Sequence, residues 1–207
     1  MIAELGNYAL ALSLAVSFFL AILPLWGAEK GHPQLMSLAR PMTYGLFFTL
    51  TIAFAALFYL FAVNDFSVQY VVNNSNRSLP IYYRLSAVWG SHEGSLLLWI
   101  WLLTLWGAAV ALFSKHLPQE AVARVLGIMG IISIGFLLFV LFTSNPFTRT
   151  FPDFPVDGRE LNPMLQDVGL IFHPPLLYMG YVGFSVAFAF AIASLMTGKL
   201  DSAWARW

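Results

Sequence analysis

With no cysteine in the chain, its four histidines, His32, His92, His116 and His173, are the side chains best suited to hold a transition metal. The missing thiol excludes disulfides, iron–sulfur clusters, thiolate zinc sites and cysteine nucleophiles. A phosphate-binding loop and a paired-histidine zinc motif are also absent. His32 and His116 stand beside Lys30 and Lys115 in short polar segments and read as solvated loop residues.

His173 lies in Leu170-Ile171-Phe172-His173-Pro174-Pro175-Leu176, at the entrance to a long apolar stretch. A following proline disfavours helix at the residue before it, and prolines are tolerated in a first helical turn. The expectation is a cap-like His173, projected from a rigid corner where membrane meets water. An imidazole so fixed suits an axial ligand to haem iron; it equally suits a cap that hydrogen-bonds the backbone. His92 sits in Trp89-Gly90-Ser91-His92-Glu93-Gly94-Ser95. There, two glycines and a serine permit close backbone approach and a capped helix start. That loop reads either as a platform for a flat ligand, with Trp89 and Trp99 as walls, or as an interfacial turn with the usual tryptophan belt. Arg77, Arg84, Arg149 and Arg159 could clamp carboxylates such as haem propionates, or pair with Asp153, Asp157 or Glu160 at the surface.

The elements that carry these residues are membrane helices. Of 207 residues, 59% are hydrophobic and 10% are charged, against about 25% charged in soluble domains. The formal charge of zero leaves no broad basic surface for nucleic acid. A span needs roughly 20 apolar residues. Five stretches free of Asp, Glu, Lys and Arg qualify: about 8–27, 41–63, 95–114, 125–144 and 176–197. The first has Glu4 where a signal peptide has a basic region, so it is expected to stay as a helix that Pro24 bends or ends early.

Five spans put the termini on opposite sides. All three lysines, with Arg40, Arg124 and Arg206, fall on one side and mark it as cytoplasmic. The topology is therefore N-out, C-in. The two long connections, about 64–94 and 145–175, then face outward, and loops of that length usually carry function. Asp65 to Val72 alternates as a short extended piece, Asn73 to Asn76 reads as a turn, and Pro80 starts a short interfacial helix. Prolines punctuate the second loop before a short apolar piece, Met164 to Phe172. Gly183, Ala187 and Ala191 form a small-residue stripe that implies a partner helix. With no charge inside a span, the usual marker of an ion pathway is missing. The fold class is all-α, a polytopic integral membrane protein with one transmembrane domain over 1–207.

Several segments, taken in order, resemble a known family. These are Val63-Asn64-Asp65-Phe66, Trp89 to Trp99, Phe142-Thr143-Ser144-Asn145-Pro146-Phe147, Gly158 to Asp167, and Gly169 to Tyr181 with its Phe172-His173-Pro174-Pro175 core. Together they resemble the N-terminal part of the CcmF family (CcmF, CycK, NrfE), the haem-lyase component of bacterial cytochrome c maturation. The resemblance covers essentially the whole chain. It implies a multi-pass protein of the bacterial inner membrane with its working face in the periplasm. It also implies haem b (iron protoporphyrin IX) as cofactor, received from the haem chaperone CcmE and joined through its vinyl groups to the CXXCH thiols of apocytochrome c, with CcmH and CcmI as further partners. By the same resemblance His173 is an axial ligand to the incoming haem. Family members are longer and hold a second external histidine and a second haem beyond this segment. The chain is thus expected to be the N-terminal portion of a haem-transporting lyase, with at most half of the external haem site. The alternative is a transporter subunit or assembly scaffold that does not ligate haem; haem absorbance that depends on His173 separates the two.

Overall fold

The computed structural model describes residues 1–198; Lys199 and Arg206, used above to orient the chain, lie outside the described residues. Five helices are long and apolar enough to cross a membrane: α1 (Ile2–Lys30), α3 (Ala39–Ala62), α6 (His92–Phe113), α7 (Gln119–Thr143) and α8 (Val168–Thr197). Short helices α2 (Pro33–Ser37), α4 (Gln69–Asn74) and α5 (Ile81–Ser86) fill the connections. Among the described residues the only β pairing is an isolated antiparallel bridge between Val68 and Arg149.

The helices start and stop where local chemistry requires. α1 runs through Pro24 to Lys30, so the proline does not end it early, and Gly31 closes it at φ 67°, a left-handed value that glycine adopts at little cost. Asp167 caps α8 by accepting the Gly169 amide at 2.6 Å. This start corrects the expectation for His173. It is not a cap at the membrane boundary; it lies inside α8, which passes through Pro174 and Pro175 without stopping. The loop reading also changes. Val68 alone makes the extended contact, and Gln69–Asn74 winds into α4. Asn73 and Asn74 finish that helix, and the turn falls at Arg77 and Ser78.

Packing follows small and aromatic residues. On α7, a Cβ at Gly130 would lie 3.1 Å from the Ala21 amide nitrogen, and one at Gly127 would lie 2.6 Å from Leu25. The backbones of α1 and α7 therefore meet closely, as small residues allow between membrane helices. Ser13 and Thr49 share a buried 2.7 Å hydrogen bond between α1 and α3. The tryptophans of α6 point both ways. Trp101 stacks on Phe54 of α3 at 5.1 Å and donates to Thr51 at 3.0 Å. Trp99 meets Tyr178 and Tyr181 of α8 at 5.4 and 5.2 Å, and Trp106 donates to the Met179 carbonyl at 3.0 Å. The buried seam of α8 is Val182, Val186, Ala189 and Ala193, beside the expected small-residue stripe instead of on it. Of that stripe, Gly183 faces the Trp106 indole and Ala187 is exposed.

Three arginines close the C-terminal ends of neighbouring helices. Arg40 donates to the Ala111 and Ser114 carbonyls of α6 at 3.1 and 3.0 Å. Arg84 donates to Ala62 at the end of α3 at 3.2 Å, and Arg124 reaches Ala28 near the end of α1 at 3.5 Å. Each puts a cation on orphaned carbonyls at the negative end of a helix.

Candidate functional site where α6 and α8 begin

The two long connections form one layer. Gln69 N–H donates to the Thr148 carbonyl at 2.9 Å, Thr150 N–H to Ser67 at 3.0 Å and Arg159 N–H to Val72 at 2.6 Å. Arg77 N–H donates to the Asp157 carboxylate at 3.0 Å. Gly158 lies so close that a Cβ there would sit 2.0 Å from the Ser75 carbonyl oxygen. Arg149 ties the layer to the start of α1. Its guanidinium donates to Glu4 at 2.8 Å through Nε and also to Ser67. The N-terminus therefore shares one end of the bundle with both long connections.

Tyr70 holds the Trp89–Ser95 loop from below. Its buried hydroxyl donates to the Val88 carbonyl at 3.0 Å and accepts the Ser91 amide at 3.3 Å. Burial pushes the phenol pKa upward. Gly94 is required here, because a Cβ would fall 1.6 Å from the Val88 oxygen. The loop so folded turns the Trp89 indole onto α8, where its N–H donates to the Leu170 carbonyl at 2.7 Å. That carbonyl is the one left without a helical donor by Pro174, which has no N–H to return four residues back. One hydrogen bond thus joins the Trp89 loop to the first turn of α8. His173 lies three residues beyond this joint on α8, and His92 lies three residues beyond Trp89.

The His173 side chain is exposed and makes no hydrogen bond or ion pair among the described residues. Phe172, Leu176 and Leu177 around it are 61%, 71% and 52% exposed. His92 is also exposed, with Nδ1 3.3 Å from Glu93 Oε2; that oxygen is buried and receives no aligned hydrogen bond. The half-buried Trp89 ring packs edge-on against Phe58 at 5.8 Å. Trp99 is enclosed by Phe136, Tyr178 and Tyr181.

The four candidate arginines divide into two pairs. Arg149 is committed to Glu4 and Ser67, and Arg84 to the carbonyls of Ala62 and Leu79. Arg77 and Arg159 enter the loop layer through backbone groups, the Arg77 carbonyl accepting from Arg84, and present exposed guanidinium groups. Among the described residues no three His, Asp or Glu side chains gather into a metal-binding cluster. The sequence carries half the signal for the Trp89–Leu170 joint: a proline inside an apolar run frees a carbonyl four residues earlier, but the indole that claims it comes from a loop 81 residues away.

Comparison with known proteins is consistent along the chain. The profile of the family described as cytochrome C assembly protein matches residues 89–207. The chain is 90% identical over its full length to cytochrome c-type biogenesis protein CcmF of Haemophilus influenzae, covering 32% of that protein. It is 59% identical to CcmF of Escherichia coli over 206 residues, again covering 32% of the relative. A solved structure of cytochrome c heme lyase CcmF superposes with a TM-score of 0.83 at 29% identity, over 99% of this chain and 32% of the other. The chain thus spans about a third of the length of these relatives. With five apolar helices it is an integral membrane protein, and it belongs to the cytochrome C assembly protein family, among the CcmF proteins.

Proposed function

We propose that this chain forms the haem-receiving outer portion of a cytochrome c haem lyase, with His173 as an axial ligand to the haem iron. The observation that carries the reading is the setting of His173, an imidazole with no partner among the described residues, on a helix face of exposed Phe172, Leu176 and Leu177. A flat apolar macrocycle requires such a wall, and neutral imidazole nitrogen is a common haem ligand. Haem is here the substrate, and its vinyl groups supply the reactive carbons that become thioethers with the CXXCH thiols of apocytochrome c. The chain's own part is to bind and orient. Arg77 and Arg159 are the guanidinium groups free to meet propionates, since Arg84 and Arg149 are already engaged. The same reading makes CcmE the donor of haem, with CcmH and CcmI as neighbours. It puts the loop layer in the periplasm, on the outer face of the inner membrane.

The test is a reduced pyridine-haemochrome spectrum of the intact protein, wild type beside His173→Ala. Loss of haem in the variant, with recovery when imidazole is added, is the expected result. Equal haem in both samples would remove His173 as the ligand.

A further inference from the structure

We infer that Trp89 is a positioning residue for His173. Its indole N–H replaces the backbone donor that Pro174 lacks, and so sets the direction in which α8 presents the imidazole. The inference rests on the proposed reading only where it speaks of haem; the joint itself is a property of the fold.

A proline inside a helix removes one hydrogen bond and tends to splay the turn before it. In α8 that turn carries His173. Leu170 is 8% exposed, so water is poorly placed to serve its carbonyl, and an unserved buried carbonyl is costly. The indole serves it at 2.7 Å. Trp89 is itself fixed: Ser95 Oγ donates to its carbonyl at 2.8 Å, and Phe58 meets its ring edge-on. The other tryptophan contacts to α8 fall beyond the prolines, at Tyr178, Tyr181 and Met179. They hold the lower part of α8 and cannot orient the turn above Pro174. Of the three indoles on this seam, only Trp89 can do so.

The geometry makes a specific prediction about pairs of substitutions. Trp89→Phe keeps an aromatic ring but loses the N–H, and Pro174→Ala restores a backbone donor to Leu170. In the intact, haem-free protein, Trp89→Phe is expected to raise hydrogen exchange across residues 170–178 roughly fivefold, the factor one buried hydrogen bond is worth. Adding Pro174→Ala should return exchange to within about twofold of Pro174→Ala alone, as expected when two changes act through one bond. In haem-loaded protein the same pair should show a shifted haem midpoint potential in Trp89→Phe and its recovery in the double variant. Trp106→Phe, which removes the bond to Met179 beyond the prolines, should leave the potential unchanged.

Unchanged exchange in Trp89→Phe would overturn the inference. So would a loss that Pro174→Ala fails to restore. If His173→Ala leaves haem untouched, the haem reading falls, while the exchange measurements still decide whether Trp89 holds this turn.

Discussion

Tyr70 carries more of the loop layer than its place in a short loop helix suggests. One phenol donates to Val88 and accepts from Ser91, so removing its hydroxyl strands two groups at once. Tyr70→Phe should lower stability by about 1–3 kcal/mol, read as a drop in the thermal midpoint of detergent-solubilised protein. The same residue gives a pH dependence. Burial raises its pKa above the ordinary value of 10.0, so the unfolded chain releases this proton before the folded one. Stability should hold up to about pH 10 and fall above it, and alkaline unfolding followed by tyrosinate absorbance should lose that slope in Tyr70→Phe. At this scale the sequence was partly legible. The Phe172-His173-Pro174-Pro175 motif drew attention to His173, yet proline statistics suggested a cap where the helix continues. Those statistics describe a proline acting alone, and they miss a partner such as Trp89 that arrives from 81 residues away.

The five long helices were the most legible elements, because an apolar run of membrane length leaves the backbone few alternatives. Every one of them nonetheless begins before the stretch expected to span. α1 begins at Ile2 instead of about residue 8, and α8 begins at Val168 instead of about residue 176. Glu4 interrupts the apolar count of α1 and the Pro174-Pro175 pair that of α8, and neither stops its helix. Arg40, Arg84 and Arg124 show the reverse: each looks like a loop charge in sequence and in space closes another helix. The short elements of the loop layer were least legible, since their shape comes from contact between the two long connections. Gly158 tests that contact. Its replacement by alanine forces a Cβ to within 2.0 Å of the Ser75 oxygen. The expected cost is about 1–3 kcal/mol, visible as faster proteolysis within residues 151–166 while the helical bundle stays intact.

For the whole molecule, α8 differs from the other spans. Its most apolar window is 28% buried, against 39–50% in the other four, and its outward face carries Phe172, Leu176, Phe184 and Leu195. The orientation of the bundle is open to a clean experiment, because the chain has no native cysteine. Ser78→Cys lies in the loop layer and Ser37→Cys at the other end. On the N-out reading, a membrane-impermeant maleimide added to intact cells with a permeable outer membrane should label Ser78→Cys and spare Ser37→Cys. Labelling of Ser37→Cys alone would reverse the topology. Arg40 and Arg124 serve as helix caps, so their position reflects packing as well as translocation.

The Arg149 joint has a consequence for the order of assembly. Its guanidinium reaches Glu4 across 145 residues of chain and meets Ser67 on the way. During synthesis the first span is made long before residue 149 emerges, so Glu4 has only the neighbouring N-terminal ammonium as a partner while three further spans are inserted. Contacts this distant in sequence form late and slowly. The loop layer is therefore a finishing step of folding, closed only once the fourth span has delivered its far end.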